Sequence, residues 1–172
     1  MSDFDTGDAG DTGTDIQVEY TDGSSADVTD ANNDGYADQL QVDSNGDGAT
    51  DTWEYDSDGD GKIDQVDWDA NGDGTPDHGE MDTNADGRVD TWSVDTNGDG
   101  TPDQMAVDSN ADGRVDAVGV DTNNDGTIDS VATDTNYDGQ VDAVATDSDG
   151  DGTFDTVHYT TDGSTNPFAT GA

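Results

Sequence analysis

The feature that most constrains this chain is a thirteen-residue phrase that recurs ten times without insertion, opening at Asp30 and closing at Tyr159. Its consensus is D-x-N-x-D-G-x-x-D followed by four further residues. Strict self-similarity at a short period marks a repeat architecture, in which one unit is too small to bury a core and its neighbours complete it. The last four positions alternate polar and apolar. Position 11 holds Leu40, Trp53, Val66, Gly79, Trp92, Met105 and then four valines, and position 13 is apolar in eight copies. Alternation of this kind is the signature of a half-buried strand, and four residues are too few for a helix. Each repeat therefore reads as one loop plus one very short strand.

Four loop positions carry the oxygen chemistry. Position 1 is Asp30, Asp43, Asp56, Asp69, Asp82, Asp95, Asp108, Asp121, Asp134 and Asp147. Position 3 is Asn32, Asn45, Asn71, Asn84, Asn97, Asn110, Asn123 and Asn136, with Asp58 and Asp149 as the two exceptions. Position 5 is Asp34, Asp47, Asp60, Asp73, Asp86, Asp99, Asp112, Asp125, Asp138 and Asp151. Position 9 is Asp38, Asp51, Asp64, Asp77, Asp90, Asp103, Asp116, Asp129, Asp142 and Asp155. A hard cation such as calcium takes six to eight oxygens at about 2.3–2.6 Å, and alternate residues of a tight loop supply them when their side chains turn inward. The invariant glycine at position 6 suits such a loop, because it adopts positive φ without steric cost. Position 7 would lend only its backbone carbonyl, which leaves its side chain free to vary; Lys62, Arg88 and Arg114, the only basic residues in the chain, all fall there.

These residues resemble known patterns. D-x-[DN]-x-[DN]-G is similar to the first half of the EF-hand calcium loop. The longer run resembles the thrombospondin type 3 repeat and the tandem aspartate-rich calcium repeats of microbial surface proteins. The resemblance covers residues 30–159 and implies about one Ca2+ per repeat, roughly ten in all. Manganese or lanthanide ions accept similar oxygens. Two departures limit what carries over. Position 12, where the EF-hand loop closes its site with a glutamate, is mixed here, and there is no cysteine for a disulfide. The closing ligand is accordingly expected from position 9 or from an aspartate of the neighbouring repeat, and paired EF-hand helices are not expected.

Composition enters as a boundary on the fold. Forty-four acidic residues against three basic ones give a formal net charge of −41, with 27 % hydrophobic residues. So polar a chain cannot offset its conformational entropy by apolar burial alone, so metal binding is expected to drive folding. The expected fold is all-β: an elongated, calcium-stabilised parallel β-solenoid with short strands and Asp-rich loops, its aspartates stacked in ladders. The alternative is a thrombospondin type 3-like calcium wire with little regular structure. The expected organisation is an acidic N-terminal tail over 1–14, a capping strand region over 15–29, the repeats over 30–159, and a C-terminal cap and tail over 160–172. Trp53, Trp68 and Trp92 occupy positions 11 and 13, where core packing is expected.

Nucleic acid and membrane insertion are excluded as partners by the charge and by the lack of a long apolar segment. Ten identical aspartate sets without a distinct cleft argue against an enzyme. The expected role is an extracellular or cell-surface rod, spacer or adhesin segment that rigidifies on binding calcium, although the N-terminal residues show no secretory signal pattern. The alternatives are a high-capacity calcium buffer or mineral-nucleating protein, and an ice- or glycan-binding surface. Similar phrases at 18–24 and 157–164 raise end-to-end self-association as a further possibility.

Overall fold

The computed structural model describes residues 14–160. Residues 1–13 of the expected tail and 161–172 of the expected C-terminal cap and tail, with half of the phrase that echoes 18–24, lie outside the described residues. Twelve strands follow one another along the chain: β1 Thr14–Glu19, β2 Ser25–Asp30, β3 Gln39–Asp43, β4 Thr52–Tyr55, β5 Gln65–Trp68, β6 His78–Met81, β7 Thr91–Val94, β8 Gln104–Val107, β9 Ala117–Val120, β10 Ser130–Thr133, β11 Ala143–Thr146 and β12 Thr156–Tyr159. From β4 onward each occupies positions 10 to 13 of its repeat, as the alternation requires. The chain divides into two compact units, residues 1–100 with β1–β7 and residues 101–172 with β8–β12.

Each unit is an antiparallel meander, in which every strand pairs with the next one in sequence. This overturns the parallel solenoid. A parallel coil needs an even number of chain reversals per rung, whereas each thirteen-residue repeat holds a single reversing loop. The loop is closed at its base by one hydrogen bond, from the position 9 N–H to the carbonyl of the residue before position 1. Examples are Asp51 N to Val42 O at 2.7 Å and Asp129 N to Val120 O at 3.0 Å. With its two ends clamped together, the loop sends the chain back beside the strand it left. The calcium wire with little regular structure is set aside too, since every repeat contributes a strand.

One reversal per repeat also reorganises the aspartates. Successive loops lie at opposite ends of the strands, so a loop's neighbour is the second one along the chain. Numbering loops by repeat, loop 1 is 30–38, loop 2 is 43–51, and so on to loop 10 at 147–155. The position 1 N–H of one loop donates to the position 9 carbonyl of the loop two repeats earlier: Asp56 to Asp38 at 3.0 Å and Asp82 to Asp64 at 2.7 Å in the first unit, Asp134 to Asp116 at 2.7 Å in the second. The stacking of consecutive repeats expected from the sequence is therefore replaced by stacking of alternate ones.

The same register explains why there is almost no apolar core. Folding a four-residue strand end to end against its successor sets position 10 opposite 13 and position 11 opposite 12. Trp53 thus faces Asp67, which faces Gly79, while Val66 faces Glu80, which faces Trp92. Directly opposite residues share a face of the sheet, so the apolar pair lies on alternate faces in successive strands. Neither face becomes continuously apolar. Ala143 is the only buried hydrophobic residue among those described, and twelve aspartates are buried. The tryptophans are half-buried against in-sheet neighbours instead of in a core; Trp68 stacks on His78 directly opposite it, with ring centroids 5.3 Å apart.

Candidate metal centre

The loops take their shape from hydrogen bonds to carboxylates. In loop 2 the Asp43 side chain accepts the N–H groups of Gly46 (2.6 Å) and Gly48 (2.9 Å). Asp51, from the far side of the loop, accepts the N–H groups of Ser44 (2.7 Å) and Asn45 (3.2 Å), the Ser44 hydroxyl, and the Asn45 side-chain amide at 3.0 Å. Asn45 Oδ1 in turn accepts the Asp47 N–H at 2.8 Å, and Asp47 Oδ1 the Ala49 N–H at 2.9 Å. Buried carboxylates must find donors or lose much free energy, and here the backbone of a nine-residue loop supplies them.

Two backbone positions make this wrap possible. Glycine at position 6 has positive φ throughout, as the sequence suggests. Position 4 does too, even where it is not glycine: Asn33, Ala85, Ala111, Asn124 and Tyr137 have φ between 57° and 63°. That requirement was missed in reading the sequence. Its only trace there is the excess of Gly and Asn at position 4. The Ser and Thr hydroxyls at position 2 also shape the loop. In at least seven loops they donate to the position 9 carboxylate, for instance Ser57 Oγ to Asp64 at 2.6 Å and Thr122 Oγ1 to Asp129 at 2.6 Å.

These donors set the electrostatics. The Ser44 hydroxyl and N–H hold the Asp51 carboxyl below the ordinary carboxylate range, and Ser57, Thr135 and Ser148 do the same for Asp64, Asp142 and Asp155. Burial alone would raise Asp95, but the N–H groups of Gly100, Gly98 and Asn97 outweigh it and lower the net value. Asp149 behaves oppositely: the charge of Asp151, then that of Asp155, pushes its carboxyl up.

Asp149 differs because it occupies position 3, where eight other loops have asparagine. An asparagine there can give its amide to the position 9 carboxylate, as Asn71 does to Asp77 at 2.7 Å. An aspartate cannot, and adds a charge instead. Among the described residues, two groups bring three carboxylates together with ligand atoms within 4.8 Å of one another: Asp56, Asp58 and Asp64 in loop 3, and Asp147, Asp149 and Asp151 in loop 10. They are the two loops with aspartate at position 3. In each group the position 1 aspartate is buried, and the others are more exposed. Three carboxylates at this spacing could hold a metal ion, and hard oxygen donors of this kind fit an ion such as the sequence implies. An aspartate of the consecutive repeat does not close a loop's ligand set, because consecutive loops lie at opposite strand ends.

No protein-family model matches the chain, and neither does any curated protein or solved structure. The observed pattern is therefore regular thirteen-residue strand repeats with buried aspartate turns and two acidic triads, without an assigned family.

Proposed function

We propose that the protein is a calcium-dependent structural repeat protein, in which divalent cations bound in the ten aspartate loops rigidify an otherwise marginal sheet. The observation that carries this reading is the pair of acidic triads, Asp56/Asp58/Asp64 and Asp147/Asp149/Asp151, built on a loop that recurs ten times. Energetic reasoning supports it. Strands with one buried hydrophobic residue among those described have little apolar burial to set against chain entropy. Ten Ca2+ ions would add 20 positive charges and bring the formal charge from −41 to −21, relieving self-repulsion among the loops. Such a protein would serve as a spacer or adhesin segment where calcium is abundant, outside the cell or at its surface, and loosen where calcium is scarce. Sites without a dedicated closing glutamate belong to the weaker range of affinities found in extracellular modules.

The test is a calcium titration of the full chain, starting from excess chelator, followed by circular dichroism and by native mass spectrometry. A calcium-dependent rise in the Tm read by circular dichroism, with uptake of several ions, is the expected result. An unchanged Tm and no uptake across the titration would sink the proposal.

A further inference from the structure

The antiparallel meander turns a thirteen-residue repeat into a twenty-six-residue one, because alternate loops share an end of the sheet. Position 7 follows that longer period. In loops 1, 3, 5, 7 and 9 it is Tyr36, Lys62, Arg88, Arg114 and Gln140; in the even-numbered loops it is Ala49, Thr75, Thr101, Thr127 and Thr153. Every cation of the chain is thus in an odd-numbered loop. In the first unit Lys62 and Arg88 lie at one end of the strands, while the opposite end offers alanine and threonine; in the second unit Arg114 is likewise opposite the threonines.

The position 7 side chain does more than extend into solvent. In several loops it lies over the position 6 glycine of the next loop at the same end, although Gly87, the glycine after Lys62, has open space beside it. A Cβ placed on Gly61 would meet the Tyr36 ring at 2.8 Å, and one on Gly139 would lie 3.4 Å from Nη1 of Arg114. At the other end the same slot receives a methyl group: Thr75 Cγ2 is 3.8 Å from a Cβ on Gly100, and Thr101 Cγ2 is 3.5 Å from one on Gly126. Lys62 also engages a carboxylate of its own loop. Lys62 Nζ donates to Asp60 Oδ2 at 2.6 Å, and Lys62, Arg88, Asp60, Asp64 and Asp82 line one open cavity of about 200 Å3. The bond to Asp60 and its charge raise the Lys62 pKa above the ordinary lysine value, with Asp58 and Asp64 adding to the effect.

Loops 3 and 10 form an internal comparison. They read DSDGDGKID and DSDGDGTFD, identical through position 6, and both hold an acidic triad. One has a tethered ammonium against its position 5 aspartate; the other has Thr153, and its carboxylates repel one another with no ion pair among the described residues.

We propose that Lys62, Arg88 and Arg114 are built-in counter-ions that divide the divalent-cation sites of each unit into two classes, the cation-free end filling first. The proposal rests on the calcium reading above and concerns the order in which its sites fill. A fixed positive charge one loop-width away opposes an incoming divalent ion and competes for the same oxygens. It weakens binding by about tenfold at low salt, and by less as ionic strength rises.

The experiment is a calcium titration of the isotope-labelled full chain by NMR, reading the amides of the position 6 glycines. Among the loops with asparagine at position 3, Gly48, Gly74 and Gly126 are expected to shift at about tenfold lower calcium than Gly87 and Gly113, and between the two triad loops Gly152 is expected to precede Gly61 by the same factor. In Lys62→Thr, which leaves the loop 3 carboxylates in place, Gly61 is expected to move into the early class alone. The triple variant Lys62→Gln, Arg88→Gln, Arg114→Gln is expected to merge the classes at unchanged stoichiometry. All glycines shifting together in the unsubstituted chain would overturn the proposal while leaving calcium binding intact, as would an order that survives in the triple variant. An absence of calcium-dependent shifts anywhere would overturn both readings.

Discussion

Asn71→Asp should have opposite effects with and without calcium. Asn71 occupies position 3 of loop 4, and its amide donates to Asp77 Oδ1 at 2.7 Å while its N–H also reaches Asp77. Aspartate removes the amide bond, a loss of about 1 kcal/mol for an exposed pair. It also faces one carboxylate with another. After relaxation to ~5 Å, the repulsion lies between about 0.8 kcal/mol at the dielectric of water and about 3 kcal/mol at an effective value of 20, and for an exposed loop it sits towards the lower figure. The sum is a destabilisation of about 2 kcal/mol in chelator, or a fall in Tm on the order of 10 °C for a unit of this size. In excess calcium the new carboxylate becomes a ligand and recreates the D-x-D-x-D arrangement of loops 3 and 10. The variant should then bind calcium about tenfold more tightly at that loop, worth about 1.4 kcal/mol, and most of the Tm deficit should disappear. Thermal unfolding followed by circular dichroism in both conditions measures this directly. An equal deficit in both would refute a metal role for position 3; no deficit in chelator would refute the amide–carboxylate account of the loop.

Other substitutions probe the backbone and the sheet. Ala85→Gly and Ala111→Gly relieve left-handed backbone at φ 57° and 58° and should stabilise by about 0.5–1 kcal/mol in urea unfolding, whereas Gly87→Ala at φ 88° should destabilise by at least as much. Gly79→Ala would bring a Cβ to 2.5 Å from Asp67 Oδ1 and 2.6 Å from Ser93 Oγ; a loss of about 1–3 kcal/mol is expected, largely restored when Asp67→Gly is added. Low pH should unfold the chain in chelator. Asp51, Asp64, Asp142 and Asp155 have folded values below their unfolded value of about 3.9, so their contribution is present above that pH and is lost as pH falls through the depressed folded values. A circular dichroism transition centred near about pH 6 instead would point to histidine and contradict this assignment.

Much of the architecture was legible in the repeat itself. Position 6 glycine announces the loop, positions 10 to 13 announce the strand, and the invariant aspartates announce the oxygen-rich turns; all of this follows from local backbone preference and period-2 patterning. Even the two triads were visible as the two copies with Asp58 and Asp149 where asparagine is usual. The repeat misled on the direction of the next strand, expected parallel and found antiparallel. That depends on how far one loop turns the chain, which in turn depends on left-handed backbone at position 4 as well as position 6, and Ala85, Ala111 and Tyr137 conceal that requirement behind ordinary side chains. The tertiary structure alone decided that each loop reverses the chain once. From that single reversal follow the antiparallel pairing, the alternation of the apolar positions between two faces, and the absence of a continuous core. The sorting of Lys62 and Arg88 to one end of their unit follows as well. A period of thirteen specifies what each repeat contains; only the fold specifies that a repeat's neighbour is the one after next.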